Sequence, residues 1–288
     1  MKQLVLVIGA GGQLGDAMAA QLEPRHEVVA RTRAELDVTV ADAVRATVSS
    51  VCPDVIINCA AYTDVDGAQS DPLTALSVNA WGVRTLAEAA GDVDAALVHF
   101  STDFVFDGNT DRPYSEDDEP NPRGTYAVSK LLGEWFAAEC PRHYVLRVES
   151  LFGGRRSRST IDRLLDGLLA GEKVRAFSDR TVSPSYVDDV VAATAALLAL
   201  DTPPGLYHCV NSGWTTWAAL THELARIVGR PTAAIDEVPM AAARLPTPRP
   251  QFAALSNARL IDAGIPMPPW QEALRRYVEA RAGEISWQ

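Results

Sequence analysis

Five short apolar runs, at 4–8, 27–30, 55–59, 97–101 and 144–148, punctuate the first half of the chain. Within each, the apolar character is nearly continuous instead of alternating, the pattern of parallel strands covered on both faces. Between them, helical spacing marks 13–21, 42–50, 72–90 and 126–139. Such alternation predicts βαβ crossovers and therefore an α/β fold: a Rossmann-like, doubly wound parallel sheet.

Beyond Gly153 the pattern loosens. Arg155, Arg156 and Arg158 with interleaved serines predict an exposed loop. A helix at 160–170, a strand at 174–177, a helix at 188–200 and a strand at 206–210 follow. Six prolines between 246 and 269 make 238–269 a loop-rich lobe and not a second sheet domain. A final helix is expected at 271–282. The predicted organisation is a Rossmann domain over 1–153, to which 186–210 returns. Residues 154–185 and 211–288 then form a smaller C-terminal lobe that closes over it.

Composition narrows the choice of ligand. At 288 residues, 47% hydrophobic and 22% charged, the chain has a folded, soluble composition. Its longest apolar stretch, 190–200, is well short of the roughly 20 residues that span a bilayer. Lys and Arg number 26 against 37 Asp and Glu, a net charge of −11. That charge repels nucleic acid and anionic membranes, but not a small phosphorylated ligand met by local donors. Cys52, Cys59, Cys140 and Cys209 form no C-x-x-C pair, and with five scattered histidines they offer no metal-ligand spacing. They are expected to be buried thiols in a reducing cytoplasm. A homodimer is left open.

Three motifs carry candidate chemistry. Gly9, Gly12 and Gly15, with Gly11 between them, follow the first strand and open the first helix. Glycines there permit a tight turn and let backbone N–H groups approach a pyrophosphate, so 1–153 is expected to bind NAD(P). Arg31 follows the second strand, where an acidic residue would accept both ribose hydroxyls. An arginine there favours a 2′-phosphate, hence NADPH, with NADH left open. Tyr126 precedes Lys130 by four residues, which places both on one helix face. A phenol titrates near 10, so it needs a nearby cation such as Lys130 to exchange protons at neutral pH. Ser101, Thr102 and Asp103 end the fourth strand, where hydroxyls are expected to face the cofactor crevice. Asn79 is expected to be solvated or to tie its helix to that strand.

In order along the chain stand Gly9 to Gly15, then Asn58-Cys59-Ala60-Ala61-Tyr62-Thr63-Asp64-Val65-Asp66. Ser101-Thr102-Asp103-Phe104-Val105-Phe106-Asp107-Gly108 and Tyr126-x-x-x-Lys130 follow. Together these resemble the extended short-chain dehydrogenase/reductases, and within them the dTDP-4-dehydrorhamnose reductase family. The resemblance is dense over 4–153 and looser beyond, where Gly205-Leu206-Tyr207-His208 and Arg249-Pro250 still match.

The resemblance implies that Tyr126 donates a proton, that Lys130 holds the nicotinamide ribose and favours phenolate, and that Thr102 bonds the substrate carbonyl. It implies that Gly9, Gly12, Gln13 and Leu14 wrap the pyrophosphate. Asp37 and Val38 line the adenine, and Ala60, Ala61 and Tyr62 run along the cofactor. Thr102, Asp103, Phe104, Ser150 and Arg249 make up the expected substrate-facing set, with Arg180 as a second phosphate donor. The implied reaction is reduction of a nucleotide-linked 4-keto-6-deoxy sugar.

Two departures stand out. The family commonly carries Arg-Thr-Ser/Ala-Trp where this chain has Arg147-Val148-Glu149-Ser150, and Asp-Gln-x-Gly-x-Pro-Thr where it has residues 179–185. With Ser150 in the tryptophan's place, Phe152, Trp214 and Trp217 are the candidates to pack against the sugar. An epimerase or dehydratase of the same fold is an alternative, although dehydratases place a glutamate where this chain has Phe104. A non-catalytic, NADP-binding regulatory subunit like that of methionine adenosyltransferase is another.

Overall fold

The computed structural model describes residues 2–156, 159–200 and 202–285, so the expected loop is seen at Arg155 and Arg156, while Arg158 lies outside the described residues. Strands β1 (Leu4–Ile8), β2 (Glu27–Arg31), β3 (Val55–Asn58), β4 (Ala96–Thr102) and β5 (His143–Val148) alternate with helices. These are α1 (Gln13–Leu22), α2 (Ala41–Val51), α3 (Val65–Ser70), α4 (Pro72–Leu76), α5 (Gly82–Asp92) and α6 (Thr125–Ala137). Next come β6 (Leu151–Phe152), α7 (Thr160–Ala170), β7 (Val174–Phe177), β8 (Thr181–Val182), β9 (Ser185–Tyr186), α8 (Val187–Ala199) and β10 (Gly205–His208). The chain ends with β11 (Thr215–Thr216), α9 (Trp217–Ile227), β12 (Ile235–Val238), α10 (Ala258–Asp262) and α11 (Trp270–Ile285).

The six-stranded sheet runs β10-β5-β4-β3-β1-β2 and is parallel throughout. The apolar runs are continuous for that reason. Val5, Val7, Val98 and Leu146 pack under α1 and α8, while Leu6, Ile8, Ile56 and Leu97 pack under α2 and α5. Because β2 and β3 flank β1 on opposite sides, the winding reverses at β1/β3, and a crevice opens at the carboxyl ends of those strands. A separate apolar core, with Phe152, Leu165, Trp217 and Tyr277, holds α7, α9 and α11 together.

Three differences from expectation have physical causes. The helix expected over 72–90 is interrupted at Ser77–Trp81 by a π-helical turn, which lets Asn79 turn inward and become wholly buried. Helix α9 was not foreseen. Thr216 caps it by accepting a hydrogen bond from the Ala219 N–H. The proline-rich segment forms no second sheet, yet β12 adds a short parallel partner to β7. Among the cysteines, Cys140 and Cys209 are buried as expected. Cys52 is exposed at the left-handed C-cap of α2, and Cys59 is half-buried at the end of β3.

Candidate active site

The crevice at β1/β3 is a cavity of about 500 Å³ formed by the loops after β1, β2 and β3. Gly9 has φ +78°, and a Cβ on it would come within 2.6 Å of the Ala60 nitrogen. A Cβ on Gly15 would meet the Gly9 carbonyl at 2.2 Å. Both positions therefore demand glycine, and together they bring the amino end of α1 down to the cavity floor. Gly9, Gly11, Gly12, Asp37, Val38, Ala60, Ala61 and Tyr62 all line the cavity. Asp37 is held below the usual carboxylate range by the Thr39 N–H and hydroxyl. The glycine cradle at the amino end of α1 and the volume of the crevice fit a dinucleotide.

Other expected cofactor residues are placed differently. Leu14 is buried in the core beneath the crevice. Gln13 donates to the Gly153 carbonyl at 2.9 Å, tying α1 to the segment after β6. The Arg31 side chain folds back onto the Ala30 carbonyl at 3.1 Å and is absent from the cavity wall, because the alternation of β2 turns it aside. Thr32 and Arg33 stand at the rim in its place. Arg156 also lines the cavity, donating to the Gly11 carbonyl at 3.2 Å and pairing with Asp16 at 3.0 Å. Its role was not legible, since it lies 145 residues from the loop it touches.

Strand β4 and helix α6 carry the polar centre. The Tyr126 phenol is buried beside the Thr102 hydroxyl. Burial, then the charge of Asp103, push its proton affinity up, and the Thr102 contact opposes them. Lys130, expected to favour phenolate, gives its ammonium to the Phe100 carbonyl at 2.6 Å, and burial lowers its pKa to about 8. Ser101 does not face the crevice. Alternation along β4 sends its hydroxyl to the other face, where it donates to Glu134 at 2.5 Å. Glu134 in turn pairs with Arg147 through two hydrogen bonds of 2.8 and 2.7 Å. Asn79 binds the Tyr62 backbone through both amide atoms and donates to Ser129, so it ties the π turn to the loop after β3 and to α6. It does not reach β4.

The expected substrate side is crowded. Phe104 packs edge-on against Tyr126 at 5.5 Å, with the guanidiniums of Arg180 and Arg249 near its ring. Arg249 is already paired with Asp66 at 3.0 Å, which joins the late segment to the start of α3. Asp103 is buried, and burial raises its pKa to about 6 although Arg180 opposes the shift. Glu149 is buried close by, and burial and then Asp103 hold its carboxyl well above the usual range. Ser150 turns the chain at φ +47° between β5 and β6. Of the candidate aromatics, Phe152 and Trp217 are consumed by the lobe's core, while Trp214 is exposed beside Phe252.

A glycine cradle at the switch point of a parallel sheet, beside a buried Thr–Tyr–Lys centre, defines an extended short-chain dehydrogenase/reductase. A family model for the RmlD substrate binding domain matches residues 1–282. The chain belongs to that family. It is 36% identical to a dTDP-4-dehydrorhamnose reductase of Streptomyces griseus, over 96% of this chain and 94% of the relative. Against one from Mycolicibacterium smegmatis the identity is also 36%, over 98% and 87%. The crystal structure of a dTDP-4-dehydrorhamnose reductase of Bacillus anthracis in complex with NADP superposes with a TM-score of 0.92. That match has 29% identity over 97% of this chain and all of the other.

Proposed function

We propose that the chain uses NADPH to reduce the C4 ketone of a nucleotide-linked 4-keto-6-deoxy sugar, with dTDP-4-dehydro-β-L-rhamnose, giving dTDP-L-rhamnose, as the leading substrate. The observation that carries this reading is the buried Tyr126 phenol, set next to Thr102 at the carboxyl end of β4 beside the dinucleotide crevice. NADPH, when bound, supplies the hydride for the ketone carbon. Tyr126 then gives its proton to the developing alkoxide, while Thr102 orients the carbonyl. Lys130 has one N–H on Phe100 and two left for the ribose hydroxyls. Thr32, Arg33 and Arg156 supply donors for the cofactor phosphates. Arg180 and Arg249 are the local cations for the sugar's diphosphate.

The relatives' names and the NADP in the Bacillus anthracis structure support this reading. A dehydratase needs an acid beside Asp103, and Phe104 has no proton to give. Residues 1–153 with 186–210 form the cofactor-binding domain, into which Arg156 reaches, and the remainder closes over the sugar. No helix among the described residues is long and apolar enough to cross a membrane. With its net charge of −11, the chain acts on a soluble nucleotide sugar in the cytoplasm, without nucleic acid or membrane.

The test is incubation with NADPH and a panel of nucleotide-linked 4-keto-6-deoxy sugars, following cofactor oxidation and identifying the product. Sugar-dependent oxidation that yields the 4-hydroxy sugar is expected. Cofactor binding with no ketosugar reduced would sink the assignment and leave a non-catalytic binding role.

A further inference from the structure

Strands β4 and β5 are parallel neighbours in register, with Thr102 opposite Val148. The next residue on each is a carboxylic acid, so Asp103 and Glu149 leave adjacent strand ends side by side. Both are almost wholly buried, at 2% and 1% exposure. Asp103 accepts from the Thr102 hydroxyl at 3.0 Å with Oδ1, and its Oδ2 has no partner. Glu149 accepts from the Ser183 N–H at 2.6 Å with Oε2, and its Oε1 has no partner. The Nε of Arg180 is likewise buried and unmatched. The three groups act on one another through their charges.

Charge accounting decides how they are held. Arg180, on the segment between β7 and β8, is the cation acting on both carboxyls. Arg249, from the late segment, is paired with Asp66, and Lys130 of α6 is bound to Phe100. Also on α6, Glu134 is paired with Arg147, and Tyr126 is neutral. Two buried carboxylates against one guanidinium leave an uncompensated negative charge, which is costly unless a proton is bound.

We infer that Asp103 and Glu149 share one proton at neutral pH, and that this pair resupplies Tyr126 through Thr102 after each reduction. The inference rests on Tyr126 being the proton donor. With Asp103 ionised, Thr102 donates to it; once Asp103 takes the shared proton, that bond reverses. A protonated Asp103 donates to Thr102 Oγ1, and the Thr102 O–H then points at the phenolate. The Asp103 O–H bond breaks as a Thr102 O–H bond forms, and the old Thr102 proton passes to the Tyr126 oxygen. The pair, now doubly anionic, regains a proton from water. Glu149 touches neither substrate nor cofactor in this scheme. It is a positioning residue: its carboxyl, held the higher by burial and by the Asp103 charge, keeps the shared proton at rest and returns it to Asp103.

The experiment compares wild type with Glu149→Gln and Glu149→Asp. Glu149→Gln removes the carboxyl that holds the shared proton, so the alkaline fall of kcat should move down by about one pH unit or more, and Glu149→Asp should restore it. In the infrared spectrum of the protein without substrate, a protonated-carboxyl band should be present at pH 7 in wild type, absent in Glu149→Gln and retained in Glu149→Asp. If Glu149→Gln does not fold, a pH titration of the wild-type band and its loss in Asp103→Asn decide the matter. Superimposable kcat profiles, or no such band in wild type, overturn the inference while leaving the reductase intact. A wild type that carries the band but reduces no ketosugar overturns the relay, and the failure then lies in the reading of Tyr126.

Discussion

At the scale of single residues, the phenol of Tyr126 has one task that no neighbour can take over. Phe104 offers only a ring edge, and Lys130 is bound to a carbonyl. Tyr126→Phe should lower kcat by about 10² to 10⁴ while the Kd for NADPH, read by fluorescence titration, stays close to wild type. An unchanged kcat would remove the proton-donor role. Cofactor choice turns on which arginine reaches the rim. Arg33→Ala should cut the NADPH/NADH ratio of kcat/KM about tenfold, whereas Arg31→Ala should leave it within about twofold. The reverse ranking would put the 2′-phosphate elsewhere. The glycines, Thr102, Tyr126 and Lys130 were legible because their spacing is local to one turn or one strand end. Arg33 in place of Arg31 was not, since a one-residue change of facing at the end of β2 has no signal in composition. Glu149 was visible only as a departure from the family pattern, because its partner sits 46 residues earlier on the neighbouring strand.

Between elements, α6 is fastened to the sheet by the buried Glu134, Arg147 and Ser101 cluster, with the Phe106 ring 4.9 Å from the guanidinium. Both charges are almost fully buried, so breaking the pair leaves one of them without compensation. Glu134→Gln should therefore cost about 3 kcal/mol or more in urea unfolding, and Arg147→Met a similar amount. The double change Glu134→Leu with Arg147→Met should cost clearly less than the sum. Strict additivity would show that the pair is not coupled. This clamp sits behind the helix that presents Tyr126, so it aims the phenol without touching it. The parallel strands were readable from their unbroken apolar runs. The π turn at Ser77–Trp81 was not, because periodicity over 72–90 is continuous to the eye, and the extra residue shows only in where Asn79 points. Helix α9 was hidden by a threonine cap that looks like any loop residue.

For the molecule as a whole, pH acts through buried histidine. His208 is neutral and satisfied, facing Arg147 with Nε2 and the Ser256 carbonyl with Nδ1. Burial, and then Arg147, depress its pKa from 6.5 to about 3. The unfolded chain takes up this proton below pH 6.5 and the folded one refuses it until about 3. The contribution is thus whole above 6.5 and is lost as pH falls, at up to about 1.4 kcal/mol per pH unit. Asp103, with its pKa raised to about 6, works the opposite way between 3.8 and 6, so wild type alone shows a muted slope. The difference between wild type and His208→Gln isolates the histidine. It should shrink between pH 7 and pH 5 in urea titrations, and a constant difference would place the histidine's proton elsewhere. His208 also ends β10, the strand that covers the open side of β5. On a ribosome, β5 is made well before its neighbour. At about 5–20 residues per second, the gap from Val148 to Gly205 lasts roughly 3–12 s. Throughout that interval the nascent chain carries a bare apolar strand edge that invites chaperones or mispairing. Translation stalled before residue 205 should leave 143–148 open to protease. Release of four more residues, Gly205–His208, should shut that edge.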